Sequence, residues 1–64
     1  MRQVSKKKFH EIVGSMEGVT SSVVGDYPYN SEWLTKGGTI VGKIKSEYGV
    51  ENKYPLVVTY FVST

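Results

Sequence analysis

Apolar residues recur along the chain with two different periods, and the change of period divides it into elements. In SKKKFHEIVGSMEG, residues 5–18, the apolar positions Phe9, Ile12, Val13 and Met16 fall at i, i+3, i+4 and i+7. That spacing lines one face of an α-helix. Ser5 stands where an N-cap belongs, and Gly18 suits the residue just past the C-terminus. The pattern predicts a helix over about 5–17, with Gly14 inside it at a cost of roughly 1 kcal/mol relative to alanine.

The rest of the chain reads as strands. VTSSVV, residues 19–24, is rich in β-branched residues and runs into the turn signal Gly25-Asp26, so a short strand is expected there. In SEWLTKGGTIVGKIK, Gly37-Gly38 has the positive-φ tolerance of a two-residue hairpin loop, joining strands over about 31–36 and 39–45. A regular register then sets Trp33 against Gly42, Leu34 against Val41 and Glu32 against Lys43. Trp33, Thr35, Ile40, Gly42 and Ile44 share one uncharged face, with the Trp33 indole lying over Gly42. Glu32, Leu34, Lys36, Thr39, Val41, Lys43 and Lys45 share the other, where Glu32 and Lys43 form a cross-strand ion pair worth about 0.2–1 kcal/mol. YPLVVTYFVST gives a last strand over about 55–63. Pro55 is acceptable at its start, and Leu56, Val58, Tyr60 and Val62 form its more apolar face.

Consecutive strands tend to be neighbours. The expected fold is therefore α+β: an N-terminal helix packed on a three- to four-stranded antiparallel meander in one domain. The expected core is Phe9, Ile12, Val13, Met16, Trp33, Ile40, Ile44, Leu56, Val58, Tyr60 and Val62. The stretch GDYPYNSEW divides into a stiff corner, Tyr27-Pro28-Tyr29-Asn30, and a strand that begins beyond it. Pro28 fixes its own φ and pushes Tyr27 toward extended backbone.

Composition narrows what such a fold could do. Sixty-four residues bury only about 60% of the surface that the unfolded chain exposes. Small domains compensate with disulfides, metals, oligomerisation or a tight core. There is no cysteine, so disulfides and thiolate zinc sites are excluded, and a single histidine cannot build a metal site alone. No metal or cofactor is expected. A homodimer is one way to gain the missing core. The absence of cysteine fits a reducing cytoplasm, no segment reaches the ~20 apolar residues of a membrane span, and the basic N-terminus lacks the apolar stretch of a secretory signal. The net charge of +2 permits nucleic-acid binding without arguing for it.

Three groups of residues carry candidate chemistry. Lys6, Lys7 and Lys8 crowd the first helical turn, where the macrodipole disfavours cations. They read either as an anion site with the free helix N–H groups or as a solvated helix start. His10 beside Glu11 suggests proton transfer, but no orienting partner or nucleophile accompanies it. Its place beside the apolar stripe is that of a surface histidine, and no enzyme is expected. The outer sheet face collects Leu34, Val41, Val57 and Phe61 inside a rim of Lys36, Lys43, Lys45 and Glu32, and Tyr27 and Tyr29 flank it. A contiguous apolar group with a charged rim is the composition of a protein interface. The leading expectation is a small non-enzymatic module that binds another protein or itself, as an inhibitor or modulator. By size alone it is like the free-standing regulators common in phages and mobile elements. The alternative is a single-stranded nucleic-acid binder using Lys6, Lys7, Lys8, Lys36, Lys43 and Lys45 with the exposed aromatics.

Overall fold

Gly37 and Gly38 both adopt positive φ, 59° and 82°, which is the type I′ geometry that closes a two-residue hairpin with the right-handed twist of its strands. This hairpin is the centre of the fold. The computed structural model describes residues 1–25, 28–49 and 55–63. Within them the chain forms β1 (Arg2–Val4), α1 (Lys6–Val13), β2 (Val19–Val24), β3 (Tyr29–Lys36), β4 (Thr39–Tyr48) and β5 (Pro55–Val62). The strands make one antiparallel sheet in the order β1-β5-β4-β3-β2. The meander from β2 to β5 is the arrangement the sequence suggested. The fifth strand was not foreseen: residues ahead of the helix pair Arg2 with Val62 and Val4 with Tyr60, and α1 then carries the chain across the sheet to its opposite edge. Among the described residues no helix is long and apolar enough to cross a membrane.

The helix is shorter than predicted. Ser5 caps it as expected, its hydroxyl accepting from the Lys8 N–H at 3.2 Å. It ends at Gly14 rather than near Gly18, because glycine is a weak helix former and the next residues bond locally. The Ser15 hydroxyl donates to the Ile12 carbonyl at 3.0 Å, and the Met16 N–H donates to the Val13 carbonyl at 3.1 Å. Met16 therefore leaves the helical face, although it stays half-buried.

The register of the central hairpin departs from the regular one at a single point. Thr35 pairs with Ile40 as expected, but Leu34 pairs with Gly42, leaving Val41 as an unpaired bulge residue. An extra residue in one strand moves everything beyond it to the other partner face. Trp33 therefore opposes Lys43, and Glu32 opposes Ile44, so the expected Trp33–Gly42 contact and Glu32–Lys43 ion pair do not form. Ser63 braces the bulge. Its N–H donates to the Val41 carbonyl at 3.3 Å and its hydroxyl to the Ile40 carbonyl at 2.6 Å.

The space over Gly42 belongs to the helix. A Cβ at Gly42 would lie 3.0 Å from Cε2 of Phe9 and 3.4 Å from Cγ2 of Val13. The Phe9 ring thus occupies the place the sequence reading gave to the indole, and the smaller Leu34 stands beside it. Among the described residues the buried apolar side chains are Phe9, Val13 and Val62, with Val4, Ile12, Val19, Leu34, Ile44 and Tyr60 packed around them. Phe9 meets the Tyr60 ring at 5.2 Å between centroids. Of the expected core, Ile40, Leu56 and Val58 are exposed instead, and Trp33 is on the other face. An eight-residue helix is about 12 Å long. An eight-residue strand such as β5 spans about 27 Å, so α1 roofs only part of the sheet. The Cα radius of gyration, 12.2 Å, exceeds the ~10.7 Å of a compact chain of this length.

Candidate open-face interface

Side chains alternate across a strand, so the register decides which residues share the face opposite α1. On that face one row crosses all five strands: Ser22, Trp33, Lys43, Phe61 and Gln3 stand side by side. The next row is Val24, Ser31, Lys45 and Thr59, followed by Tyr29, Glu47 and Val57. Toward the hairpin end lie Thr20, Thr35 and Ile40, with the hydroxyls of Thr20 and Thr35 bonded to each other at 3.0 Å. Among the described residues no helix or strand covers this face; α1 lies against β4 and β5 from the other side.

The centre of the face is a lysine between two aromatic rings. The Lys43 Nζ lies 4.6 Å from the centroid of Trp33 and 5.9 Å from that of Phe61. A cation over an aromatic face is attracted by the ring quadrupole, by about 0.5–1 kcal/mol at an exposed site. One row away, the Lys45 Nζ pairs with Glu47 Oε1 at 3.5 Å. Both partners are well exposed, so the pair adds little stability, but it matches charge within the face. Around these groups Ile40, Val57, Tyr29 and Val24 are 44%, 51%, 59% and 59% exposed. The surface is mixed, with aromatic and aliphatic groups set among serines, threonines, Gln3 and the Lys45–Glu47 pair, and Lys43 at its centre.

Several of the candidate residues meet here and others do not. Tyr29, Val57, Phe61, Lys43 and Lys45 share the open face. Leu34 belongs to the helix side, and Val41 is the bulge residue, so the bulge removes both from the group. Lys36 keeps the parity of Leu34 and lies exposed at the hairpin end, off the face. Tyr27 lies outside the described residues. Trp33, read from the sequence as core, is the addition. Lys6, Lys7 and Lys8 are exposed at the start of α1, across the sheet from Lys43 and Lys45. His10 is also exposed on α1 and sits among aromatic rings, edge-on to Phe9 at 5.7 Å and tilted to Tyr60 at 6.1 Å. No group of three or more His, Asp or Glu side chains among the described residues could hold a metal ion. Compared with known protein families, curated proteins and solved structures, the chain matches none.

Proposed function

We propose that this chain is a non-enzymatic binding module that docks on another protein through the open face of its sheet. It modulates that partner by covering the surface it occupies. The observation that carries this reading is the Trp33–Lys43–Phe61 row on a sheet face that no described helix or strand covers. Tryptophan, tyrosine and phenylalanine are enriched at interface centres, and truncating a central aromatic costs more than truncating its neighbours. Exposed Ile40 stands in the next row toward the hairpin, and exposed Tyr29 and Val57 stand two rows away, beyond Ser31, Lys45 and Thr59. Apolar groups among polar ones on an open face are what an interaction site presents. The partner fitted by this chemistry presents an apolar patch with an acidic group in reach of Lys43.

Single-stranded nucleic acid fits the face less well. Two aromatics on an antiparallel sheet resemble a stacking platform, but the Lys43 ammonium already lies over the Trp33 ring where a base would stack. Lys45 is paired with Glu47, and the lysines of α1 lie on the far side of the sheet, so the cations do not line one groove. Trp33 is the sole tryptophan, which makes its fluorescence a direct reporter. Titration with single-stranded DNA and RNA at low salt is expected to leave the emission unchanged. A change that weakens steeply with added salt overturns the protein-docking reading in favour of nucleic acid.

A further inference from the structure

The two edges of the sheet are not equivalent. On one side β1 is three residues long and carries Arg2. On the other, β2 runs for six residues, VTSSVV, with no charge, no proline and no break in its pairing to β3. Short length, charge, proline and bulges are the usual protections of an edge strand, and β2 has none of them. Every β2 residue except Val19 is exposed.

The direction of the free backbone groups follows from the hairpin. In the two-residue turn Lys36 and Thr39 exchange their hydrogen bonds, so Lys36 directs its N–H and C=O toward β4. Strand alternation then turns Thr35, Trp33 and Ser31 toward β2, where they pair with Thr20, Ser22 and Val24. Val19, Ser21 and Val23 are left with their N–H and C=O directed outward from the sheet.

We propose that β2 is a homodimer edge. Two copies pair antiparallel about a twofold axis between Ser21 and Ser21 of the second copy. In this register Val19 faces Val23 of the second copy, Ser21 faces Ser21, and Val23 faces Val19, each pair exchanging both bonds, about six in all. The occupant is a second copy because the strand complements itself. No like charges meet across the axis. The Val23 side chain, 65% exposed in the single chain, gains Val19 of the second copy as its direct neighbour, and Thr20 gains Ser22. Among the described residues each copy has only one long free edge, so the contact closes at two copies instead of propagating. The result is a ten-stranded sheet whose two open faces lie on the same side, presenting the docking surface twice. The edge contact itself does not depend on the docking reading.

Sedimentation equilibrium from about 10 μM to about 1 mM tests it, since a contact of this size is a weak one. The mass is expected to rise from 7.2 kDa toward twice that value. Over the same range the amides of Val19, Ser21 and Val23 gain protection from hydrogen exchange, while those of Thr20, Ser22 and Val24 are protected throughout. Ser21→Pro deletes an outward N–H without touching the β3 ladder, a place where an edge strand accepts proline, and is expected to abolish the dimer. Val23→Lys adds a charge at an exposed position and does the same if the proline variant fails to fold. Phe61→Glu leaves the dimer intact, which separates this contact from the docking face. A 7.2 kDa species at every concentration, a dimer indifferent to both β2 substitutions, or growth beyond two copies overturns the proposal.

Discussion

Exchanging which of two adjacent residues carries a charge tests the bulge at Val41. Leu34 lies against the Phe9–Val13–Val62 cluster beneath α1, whereas Trp33 stands on the open face beside Lys43. Leu34→Glu puts a carboxylate into that apolar layer, with the same-face cation Lys36 two residues away at the exposed end of the strand. Leucine truncation in a full core costs about 2–5 kcal/mol. Leu34 is half-buried, so the packing loss sits near the lower end, and desolvating a polar group adds about 1–3 kcal/mol. The sum, at least about 3 kcal/mol, is about a third or more of the ~3–10 kcal/mol that a domain this size holds at about 0.05–0.15 kcal/mol per residue. Leu34→Glu is therefore expected to melt at least about 12 °C below the parent, or to be unfolded at 25 °C. Trp33→Glu loses a cation–π contact of about 0.5–1 kcal/mol and some half-buried ring area, but places its carboxylate next to Lys43. It is expected to stay folded, with a midpoint within about 10 °C of the parent. Circular dichroism melts of the two variants decide the matter. The regular hairpin register, with Trp33 over Gly42, predicts the reverse order. An unfolded Trp33→Glu beside a folded Leu34→Glu refutes the bulge and the face assignment built on it.

Two further substitutions probe how the helix is held. Gly42→Ala places a Cβ 3.0 Å from the Phe9 ring and 3.3 Å from the Phe61 carbonyl; overpacking of this kind costs about 1–3 kcal/mol, and a urea midpoint at or above the parent's refutes the seating of Phe9 on Gly42. Lys7→Glu replaces an exposed cation with an anion in the first turn of α1, which is expected to stabilise by about 0.3–1 kcal/mol through the helix dipole, an effect that shrinks with salt; destabilisation in the same urea titration contradicts it.

The parts of the fold legible in the sequence are those fixed by local chemistry. Gly37-Gly38 announces its own turn, Ser5 its cap, and Phe9 and Val13 the buried helical face. The alternation of Tyr60 and Val62 with Phe61 correctly separates the two sides of β5. The bulge carries no such mark, because Val41 is a β-branched residue between others and suits a regular strand. One extra residue nevertheless exchanges Trp33 and Leu34 between faces, so the aromatic row at the centre of the candidate site was hidden by a single slip. β1, only three residues long, is too short to show alternation. Ile40, Leu56 and Val58 have core chemistry but lie exposed, because burial depends on how far α1 reaches and not on side-chain type. Ile40 is turned to the open face, and Leu56 is left unpaired at the register shift beside Tyr48.

The central claim is that the open face, and not the lysine-rich start of α1, is the working surface. Immobilised parent chain, Phe61→Glu and Lys7→Glu, each shown to be folded by its melting curve, are used to capture proteins from lysate of the native host, with bound proteins identified by mass spectrometry. The account predicts a protein retained by the parent and by Lys7→Glu and lost from Phe61→Glu. A protein held equally by the parent and Phe61→Glu but released by Lys7→Glu contradicts it.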